Sequence, residues 1–281
     1  MSMVLDDFKK EKGYLICIDS DGCAIDTMDI KHIKCFGPCM IKEWNLDKWS
    51  EEILYRWNEV NLYTITRGIN RFKGLALALS EINEKYIKID GLGDFTDWVD
   101  TTKELSNESL KREIDKNDSV CLKKALSWSK AVNESIDLLT DNEKRPFEGV
   151  LEAISKAGEI ADIAIVSSAN EKAVLDEWRK NNLLDKVDIV LTQKVGSKAY
   201  CIEKLIEKGY DLDKVLMVGD ALGDLKSANS NNVLFYPIMV KKEKESWKRF
   251  KDEAIYKLIN GEYKGIYQDN VINEFEKNLS K

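Results

Sequence analysis

Acidic residues follow an apolar run near the start of the chain. The run at 13–18 (GYLICI) is typical of a buried strand, and Asp19 and Asp21 come directly after it. A second acidic motif, with Asp220 and Asp224, follows another apolar run late in the chain. Clustered carboxylates repel one another unless a cation neutralises them, and an all-oxygen cluster suits Mg²⁺. The sequence therefore predicts that these residues meet at a magnesium site.

Hydroxyl and ammonium groups follow the other apolar runs. Ser167 and Ser168 come after the run at 160–166, and the stretch TQKVGSKAY carries Lys194 and Lys198. A phosphate beside the metal would have its remaining oxygens held by a serine hydroxyl, a lysine ammonium and backbone N–H groups at helix starts. A phosphorylated ligand is therefore expected.

Elements that could position these residues recur along the chain. Short apolar runs alternate with segments of helical spacing, which predicts an α/β fold with a Rossmann-like, doubly wound parallel sheet. Ligands of such sheets bind beyond the carboxyl ends of the strands, where the acidic, serine and lysine residues are expected. The predicted strands are 13–18, 160–166, 187–191, 214–218 and 233–236.

The segment between the first two predicted strands has a different pattern. Residues 24–145 lack strand-like runs and are rich in tryptophan, which predicts an inserted all-helical cap domain. The core domain is then 1–23 with 146–240, and 241–281 is a C-terminal helical extension of the core, expected to begin as a surface helix.

Two details of the insertion are predicted from spacing. A single helix is expected to include the stretch NLYTITRGINRFKGLALAL, with Arg67 and Arg71 pointing away from its apolar side. Residues 82–120 are expected to include at least one long loop.

Composition excludes several classes of partner. A net charge of −7 argues against nucleic acid, which requires dense Lys/Arg patches. No apolar run is long enough to span a bilayer, and the N-terminal residues do not resemble a secretion signal, so no membrane partner and a cytoplasmic location are expected. The six cysteines are scattered along the chain, which is typical of reduced core residues in a cytosolic protein. Cys35 and Cys39 could also form a metal-binding pair, but no second pair lies at zinc spacing.

The ordered motifs resemble those of the haloacid dehalogenase superfamily of phosphohydrolases. The resemblance covers about residues 13–23 and 145–240. It depends on DSDG at 19–22, VSS at 166–168, a lysine, and GDALGD at 219–224. It implies a Mg²⁺-dependent phosphatase that acts through an aspartyl-phosphate.

The resemblance also implies residue roles. Asp19 is expected to be the nucleophile, and Asp21 the acid that protonates the leaving alcohol and then the base that activates water. The expected Mg²⁺ ligands are the Asp19 carboxylate, the backbone carbonyl of Asp21 and Asp220, with Asp224 beside them, often through water.

The phosphate-binding groups are less sharply defined by the pattern. Ser167 matches the phosphate-binding hydroxyl, with its neighbour Ser168 second. Lys198 is favoured as the motif lysine because Ser197 is a plausible N-cap and a lysine at a helix start can project into the cleft. Lys194 is the alternative.

A lid between the first and second motifs implies a small phosphorylated metabolite as substrate, because a closed cleft leaves little room for a macromolecule. Arg67 and Arg71 are candidate substrate-binding residues of this lid, although a solvated helix face is the ordinary interpretation. His32 also has two interpretations: its side chain faces the cleft, or it has a structural role.

Other activities remain open at this point. A phosphomutase or a phosphonate hydrolase of the same superfamily is the first alternative. A non-catalytic protein that binds a phosphorylated ligand is another, although such a protein is expected to have lost Asp19 or Asp21. The presence of Asp21 also argues against a dehalogenase, because the dehalogenases that this sequence resembles lack the acid/base aspartate.

Overall fold

The computed structural model describes residues 3–280 and contains one sheet of five parallel strands. Each strand overlaps one of the predicted runs, so the predicted α/β parallel sheet is confirmed. The strand order is β3-β2-β1-β4-β5. The strands are β1 (Tyr14–Ile18), β2 (Ala161–Val166), β3 (Ile189–Leu191), β4 (Val215–Gly219) and β5 (Leu234–Pro237).

Strand β1 lies at the centre of the sheet. Its residues are apolar without alternation because a parallel sheet wrapped by helices is buried on both faces. Ile18 lies opposite Ile165 of β2 and Val218 of β4. The residues that follow β1, β2 and β4 therefore emerge at one edge of the sheet.

The helices account for most of the remaining chain. They are α1 (Met3–Asp7), α2 (Met28–Lys31), α3 (Gly37–Trp44), α4 (Ser50–Asn58), α5 (Arg71–Lys85), α6 (Leu92–Thr101), α7 (Asn107–Ile114), α8 (Val120–Asp137), α9 (Val150–Ala157), α10 (Glu171–Lys180), α11 (Lys198–Ile206), α12 (Leu222–Ser230), α13 (Glu243–Arg249), α14 (Ile255–Ile259) and α15 (Ile266–Leu279). Short π-helical segments are His32–Phe36, Glu59–Tyr63 and Phe250–Ala254, and 3₁₀ turns are Asp47–Trp49, Asp141–Glu143, Leu184–Lys186 and Leu212–Lys214.

The chain divides into two compact units. One contains Met1–Met28 with Thr140–Lys281 and includes the sheet; the other is Asp29–Leu139 and is helical. Within the sheet unit, the chain segments that lead into and out of the helical unit are paired with each other. The Asp26 N–H donates to the Arg145 carbonyl at 2.8 Å, and the Phe147 N–H donates to the Ala24 carbonyl at 3.1 Å.

The core of the sheet unit includes side chains from the segment after β5. Trp247 and Phe250 are fully buried there and pack edge to face, with ring centroids 5.5 Å apart. This segment begins with mostly exposed residues, as expected for a surface helix, and it also contributes aromatic side chains that the expectation did not include. Its charged residues face solvent, but its aromatic residues complete the core, where burying each large side chain contributes about 1.5–3 kcal/mol.

The helical unit has its own core of aromatic residues. Trp57, Trp98 and Trp128 are buried, and Trp128 lies edge to face with Phe72 at 6.3 Å and with Trp57 at 6.2 Å. The accumulation of tryptophans in this part of the sequence thus reflects packing within the unit.

The single helix expected around residues 61–79 is interrupted. A π-helical segment ends at Tyr63, Gly68 adopts a left-handed φ of 71°, and α5 starts only at Arg71, with Asn70 as its N-cap. Because the helical register is lost, Ile65 is exposed and Arg67 is buried, the reverse of the predicted faces.

The stretch 82–120 contains more regular structure than expected, because α6 and α7 lie within it. Within residues 3–280, no helix combines the length and the apolar character that crossing a membrane requires.

Candidate active site

Asp19 is held at the carboxyl end of the central strand. Its N–H donates to the Val218 carbonyl at 3.0 Å, which continues the ladder between β1 and β4 by one residue. The residue is 6% exposed. Its carboxylate therefore projects from the sheet edge with little access to bulk water.

Asp220 and Asp224 come from the turn between β4 and α12. The Asp224 carboxylate accepts from the N–H groups of Asp220 at 3.2 Å and Ala221 at 3.1 Å, which caps the start of α12. Both aspartates are at most 1% exposed. Gly219 allows this packing, because a Cβ there would lie 2.4 Å from Asp224 side-chain atoms.

Three carboxylates form one cluster. Asp19, Asp220 and Asp224 can each offer an oxygen such that these atoms lie within 4.8 Å of one another. Among the described residues, this is the group of acidic, histidine or cysteine side chains that could hold a metal ion.

Lys198 lies against this cluster. It is the first residue of α11, whose N-cap Ser197 accepts from the Tyr200 N–H at 3.2 Å. Its Nζ lies 2.8 Å from Asp19 Oδ2 and 2.5 Å from Asp224 Oδ1. The ammonium thus bridges the carboxylates that follow β1 and β4.

Burial dominates the electrostatics of the cluster. It raises the pKa of Asp19 above its ordinary value; the Lys198 ammonium opposes this rise, and Asp224 and Asp220 add to it. Burial alone would lower the pKa of Lys198, but the carboxylates of Asp19 and Asp224 outweigh it and hold that pKa above its ordinary value.

The donor set fits a magnesium ion. A single ammonium cannot neutralise three buried carboxylates, and Mg²⁺ prefers carboxylate oxygens together with water. The residues that would hold the ion are Asp19, Asp220 and Asp224, at the edge where the sequence predicted it.

Asp21 is positioned by the turn after Asp19. The N–H groups of Ala24 and Ile25 both donate to the Ser20 carbonyl, at 3.0 and 2.9 Å, and close this turn. Asp21 is half-buried, and its Oδ1 accepts from Thr27 Oγ1 at 2.8 Å. Its side chain is outside the three-carboxylate cluster, so it differs from Asp19 in environment.

The two serines after β2 differ from each other. Ser167 is 3% exposed, its N–H donates to the Leu191 carbonyl at 2.9 Å, and its Oγ accepts from the Ala169 N–H at 3.2 Å. Ser168 is exposed. By strand register, Ser167 lies at the same sheet edge as Asp19, which favours it over Ser168 as a phosphate ligand.

The alternative lysine lies elsewhere. Lys194 has a side chain 74% exposed and forms an ion pair with Glu171 at 3.0 Å. The contacts of Lys198 with the acidic cluster favour Lys198 as the motif lysine.

The two candidate arginines belong to the helical unit. Arg67 is 2% exposed, and its Nη1 donates to the Leu62 carbonyl at 2.7 Å. Arg71 Nη1 donates to Asn133 Oδ1 at 2.8 Å and to Ser129 Oγ at 3.2 Å. Both guanidinium groups thus have partners inside their own unit, and a substrate contact for either remains a prediction. The His32 ring stacks on Phe36 at 4.6 Å.

Sequence reasoning missed several residues that support the site. Thr27 contacts Asp21, and the indole Nε1 of Trp178 donates to Ser20 Oγ at 2.9 Å. Thr27 was visible as a hydroxyl close to the first motif. Nothing in the sequence indicated a role for Trp178, because its partner Ser20 lies 158 residues away along the chain.

A comparison with protein families identifies the chain. The sequence model described as "Haloacid dehalogenase-like hydrolase" matches residues 96–238, which is 143 of 281 residues. The chain belongs to this family. The matched segment includes Ser167, Lys198, Asp220 and Asp224 of this haloacid dehalogenase-like hydrolase, whereas Asp19 and Asp21 precede it.

The chain is similar to several solved structures, and the first of these shares its fold. A haloacid dehalogenase-like family hydrolase from Streptococcus pneumoniae is 11% identical, with a TM-score of 0.52 over 85% of this chain and 91% of that chain. A predicted phosphatase from Clostridium acetobutylicum is 13% identical, with a TM-score of 0.49 over 88% and 99%. A predicted phosphoglycolate phosphatase from Haemophilus somnus is 12% identical, with a TM-score of 0.48 over 80% and 84%. A search of curated proteins found no match.

Proposed function

We propose that this hydrolase is a Mg²⁺-dependent phosphatase that cleaves a small phosphorylated metabolite through an aspartyl-phosphate on Asp19. The observation that carries the proposal is the contact of Lys198 Nζ with both Asp19, at 2.8 Å, and Asp224, at 2.5 Å, within a buried acidic cluster. A dianionic phosphate is the type of ligand that a divalent ion and an ammonium would attract to such carboxylates.

The first step transfers the phosphoryl group to the enzyme. A carboxylate oxygen of Asp19 forms a bond to phosphorus, the bond between phosphorus and the alcohol oxygen breaks, and Asp21 donates its proton to the leaving alkoxide. The position of Asp21 on the turn after Asp19, with Oδ1 held by Thr27, supports this role.

The second step releases phosphate. Asp21, now a carboxylate, takes a proton from water, the water oxygen bonds to phosphorus, and the bond from phosphorus to Asp19 breaks. The enzyme returns to its starting state. Lys198 and the Ser167 hydroxyl are expected to hold phosphoryl oxygens, and Ser168 and the two arginines are further substrate-binding candidates.

A bound Mg²⁺, held by Asp19, the Asp21 carbonyl, Asp220 and Asp224, would supply positive charge that offsets the repulsion between the Asp19 carboxylate and the phosphate. The helical unit is proposed to serve as the cap domain, and residues 241–281 as an extension of the core domain. A cytoplasmic location and the absence of nucleic-acid or membrane partners also remain part of this proposal.

The experiment compares hydrolysis of para-nitrophenyl phosphate by the wild type and by Asp19→Asn, with Mg²⁺ and with a chelator. We expect Mg²⁺-dependent release of phosphate by the wild type and a loss of at least about a thousandfold in the variant, which lacks the nucleophile. Acid quenching followed by intact mass measurement should detect one added phosphoryl group in the wild type only.

A matched control is Asp185→Asn, which changes an exposed aspartate of the same unit and should leave the rate unchanged. Equal activity of Asp19→Asn and the wild type would disprove the covalent mechanism. A panel of phosphorylated metabolites then separates a phosphatase, which releases inorganic phosphate, from a mutase, which returns the group to the substrate. Release of phosphate from a phosphonate would favour a phosphonate hydrolase.

A further inference from the structure

Two buried tryptophans donate hydrogen bonds to the turn that carries Asp21. Trp178 Nε1 donates to Ser20 Oγ at 2.9 Å, and Trp247 Nε1 donates to the Cys23 carbonyl at 2.9 Å. The acceptors belong to residues on either side of Asp21. Both tryptophans are completely buried, so water does not compete for these bonds.

The two indoles come from separate parts of the chain. Trp178 lies on α10, which follows β2, and Trp247 lies on α13, which follows β5. An indole is rigid and donates through one N–H, so a tryptophan fixed in a core fixes its acceptor as well. The turn is therefore anchored to two helices at once.

The hydrogen bonds within the turn leave these two acceptors to the tryptophans. The N–H groups of Cys23, Ala24 and Ile25 converge on the Ser20 carbonyl, at 3.3, 3.0 and 2.9 Å. The Ser20 hydroxyl oxygen and the Cys23 carbonyl accept from the indoles instead. A buried acceptor that loses its donor is costly, so removing either indole N–H would favour a different conformation of the turn.

We propose that Trp178 and Trp247 are positioning residues that aim the Asp21 carboxyl at the leaving-group oxygen. This inference rests on the proposed phosphatase function and extends it. It makes α13, which lies outside the sheet and its connections, part of the active-site support. The ordinary alternative is that both bonds only satisfy buried indoles, and the two interpretations differ in their kinetics.

The kinetic difference appears in the leaving group. A poorly positioned general acid slows departure of a basic alkoxide more than departure of a weakly basic one, because only the basic alkoxide needs full protonation. Loss of stability alone lowers the amount of folded enzyme and reduces the rates for all substrates by one factor.

The experiment measures kcat/KM for para-nitrophenyl phosphate and for phenyl phosphate, which have similar shapes and different leaving-group basicity. The quantity compared is the ratio of kcat/KM for para-nitrophenyl phosphate to kcat/KM for phenyl phosphate. We expect Trp247→Phe and Trp178→Phe each to raise this ratio about fivefold, because the loss of positioning slows hydrolysis of phenyl phosphate selectively. Phenylalanine keeps an aromatic ring in the core and removes the N–H.

Tyr263→Phe is the matched control. Tyr263 is 1% exposed, lies in the segment after β5, and donates its hydroxyl to the Phe235 carbonyl at 2.8 Å. Like the tryptophan variants, this variant lacks one buried donor to a buried acceptor, but the acceptor lies away from the turn. We expect a lower Tm and an unchanged ratio for this variant.

Ser20→Ala provides a second test if a tryptophan variant does not fold. It removes the acceptor of Trp178 with a small change in volume, and we expect the same direction of change in the ratio. An unchanged ratio in all folded variants would overturn the inference while leaving the phosphatase proposal intact. Lack of Mg²⁺-dependent activity in the wild type, or full activity of Asp19→Asn, would overturn both.

Discussion

Lys198 shows at the level of one residue how the site is held together. Its side chain is 13% exposed and lies between Asp19 and Asp224, so three charges share a region from which water is largely excluded. Breaking a buried ion pair by removing one partner is strongly unfavourable, because the remaining charge has no compensation.

We expect Lys198→Met to lower kcat/KM for para-nitrophenyl phosphate by at least about a hundredfold, because the ammonium is lost where phosphate charge must be stabilised. Lys194→Met is the control: its ammonium pairs with Glu171 at the surface, and its removal should change the rate by less than about twofold. Equal losses in the two variants would contradict the assignment.

Residue identity was predictable where a motif follows a strand. Asp19, Asp220 and Asp224 were identified because the carboxyl ends of parallel strands meet at one edge. Trp178 and Trp247 were not identified, because their contacts with the turn depend on tertiary packing across 158 and 224 residues. Sequence spacing carries no information about such contacts.

At the scale of elements, the join between β4 and α12 sets the position of Asp224. The strand ends at Gly219, and the carboxylate of Asp224 folds back over it to cap the helix. A side chain at residue 219 would occupy the space that this carboxylate fills.

We expect Gly219→Ala to lower the free energy of unfolding by about 1–3 kcal/mol, because its Cβ would lie 2.4 Å from buried Asp224 atoms. Activity should fall as well, since Asp224 must shift. Gly223→Ala is the matched control, as nothing lies within 4 Å of its added Cβ. Chemical denaturation measures the free energy of unfolding of both variants. Similar values would contradict the proposed conflict between a side chain at residue 219 and Asp224.

Strands were easier to predict than helix boundaries. Apolar runs of β-forming residues identified all five strands of the sheet. The helix expected around residues 61–79 is interrupted because the chain is extended at Thr64 and left-handed at Gly68, and an apolar pattern does not reveal these backbone angles. The segment after β5 was judged by its charges, although its aromatic residues decide where it packs.

At the scale of the whole molecule, the acidic cluster is a cost to folding. Three buried carboxylates face one ammonium, so the metal-free protein retains uncompensated repulsion. A ligand that binds only the folded state stabilises it by mass action.

We expect saturating Mg²⁺ to raise the Tm by roughly 5 °C, since a ligand at about 100 times its Kd adds about 2.7 kcal/mol. Asp220→Asn should be at least as stable as the metal-free wild type, with one repulsive charge fewer, and should lose most of the Mg²⁺ effect. Asp185→Asn should keep it. An unchanged wild-type Tm on adding Mg²⁺ would contradict a site at these carboxylates.

The pairing of the two chain segments that lead into and out of the helical unit has a consequence for how such a chain can diversify. Ile25 and Pro146 are bridged, so more than a hundred intervening residues begin and end at neighbouring points. A stretch anchored in this way can lengthen, shorten or be exchanged for another without shifting any strand. Length and sequence can therefore change in that stretch while the arrangement around Asp19 stays the same.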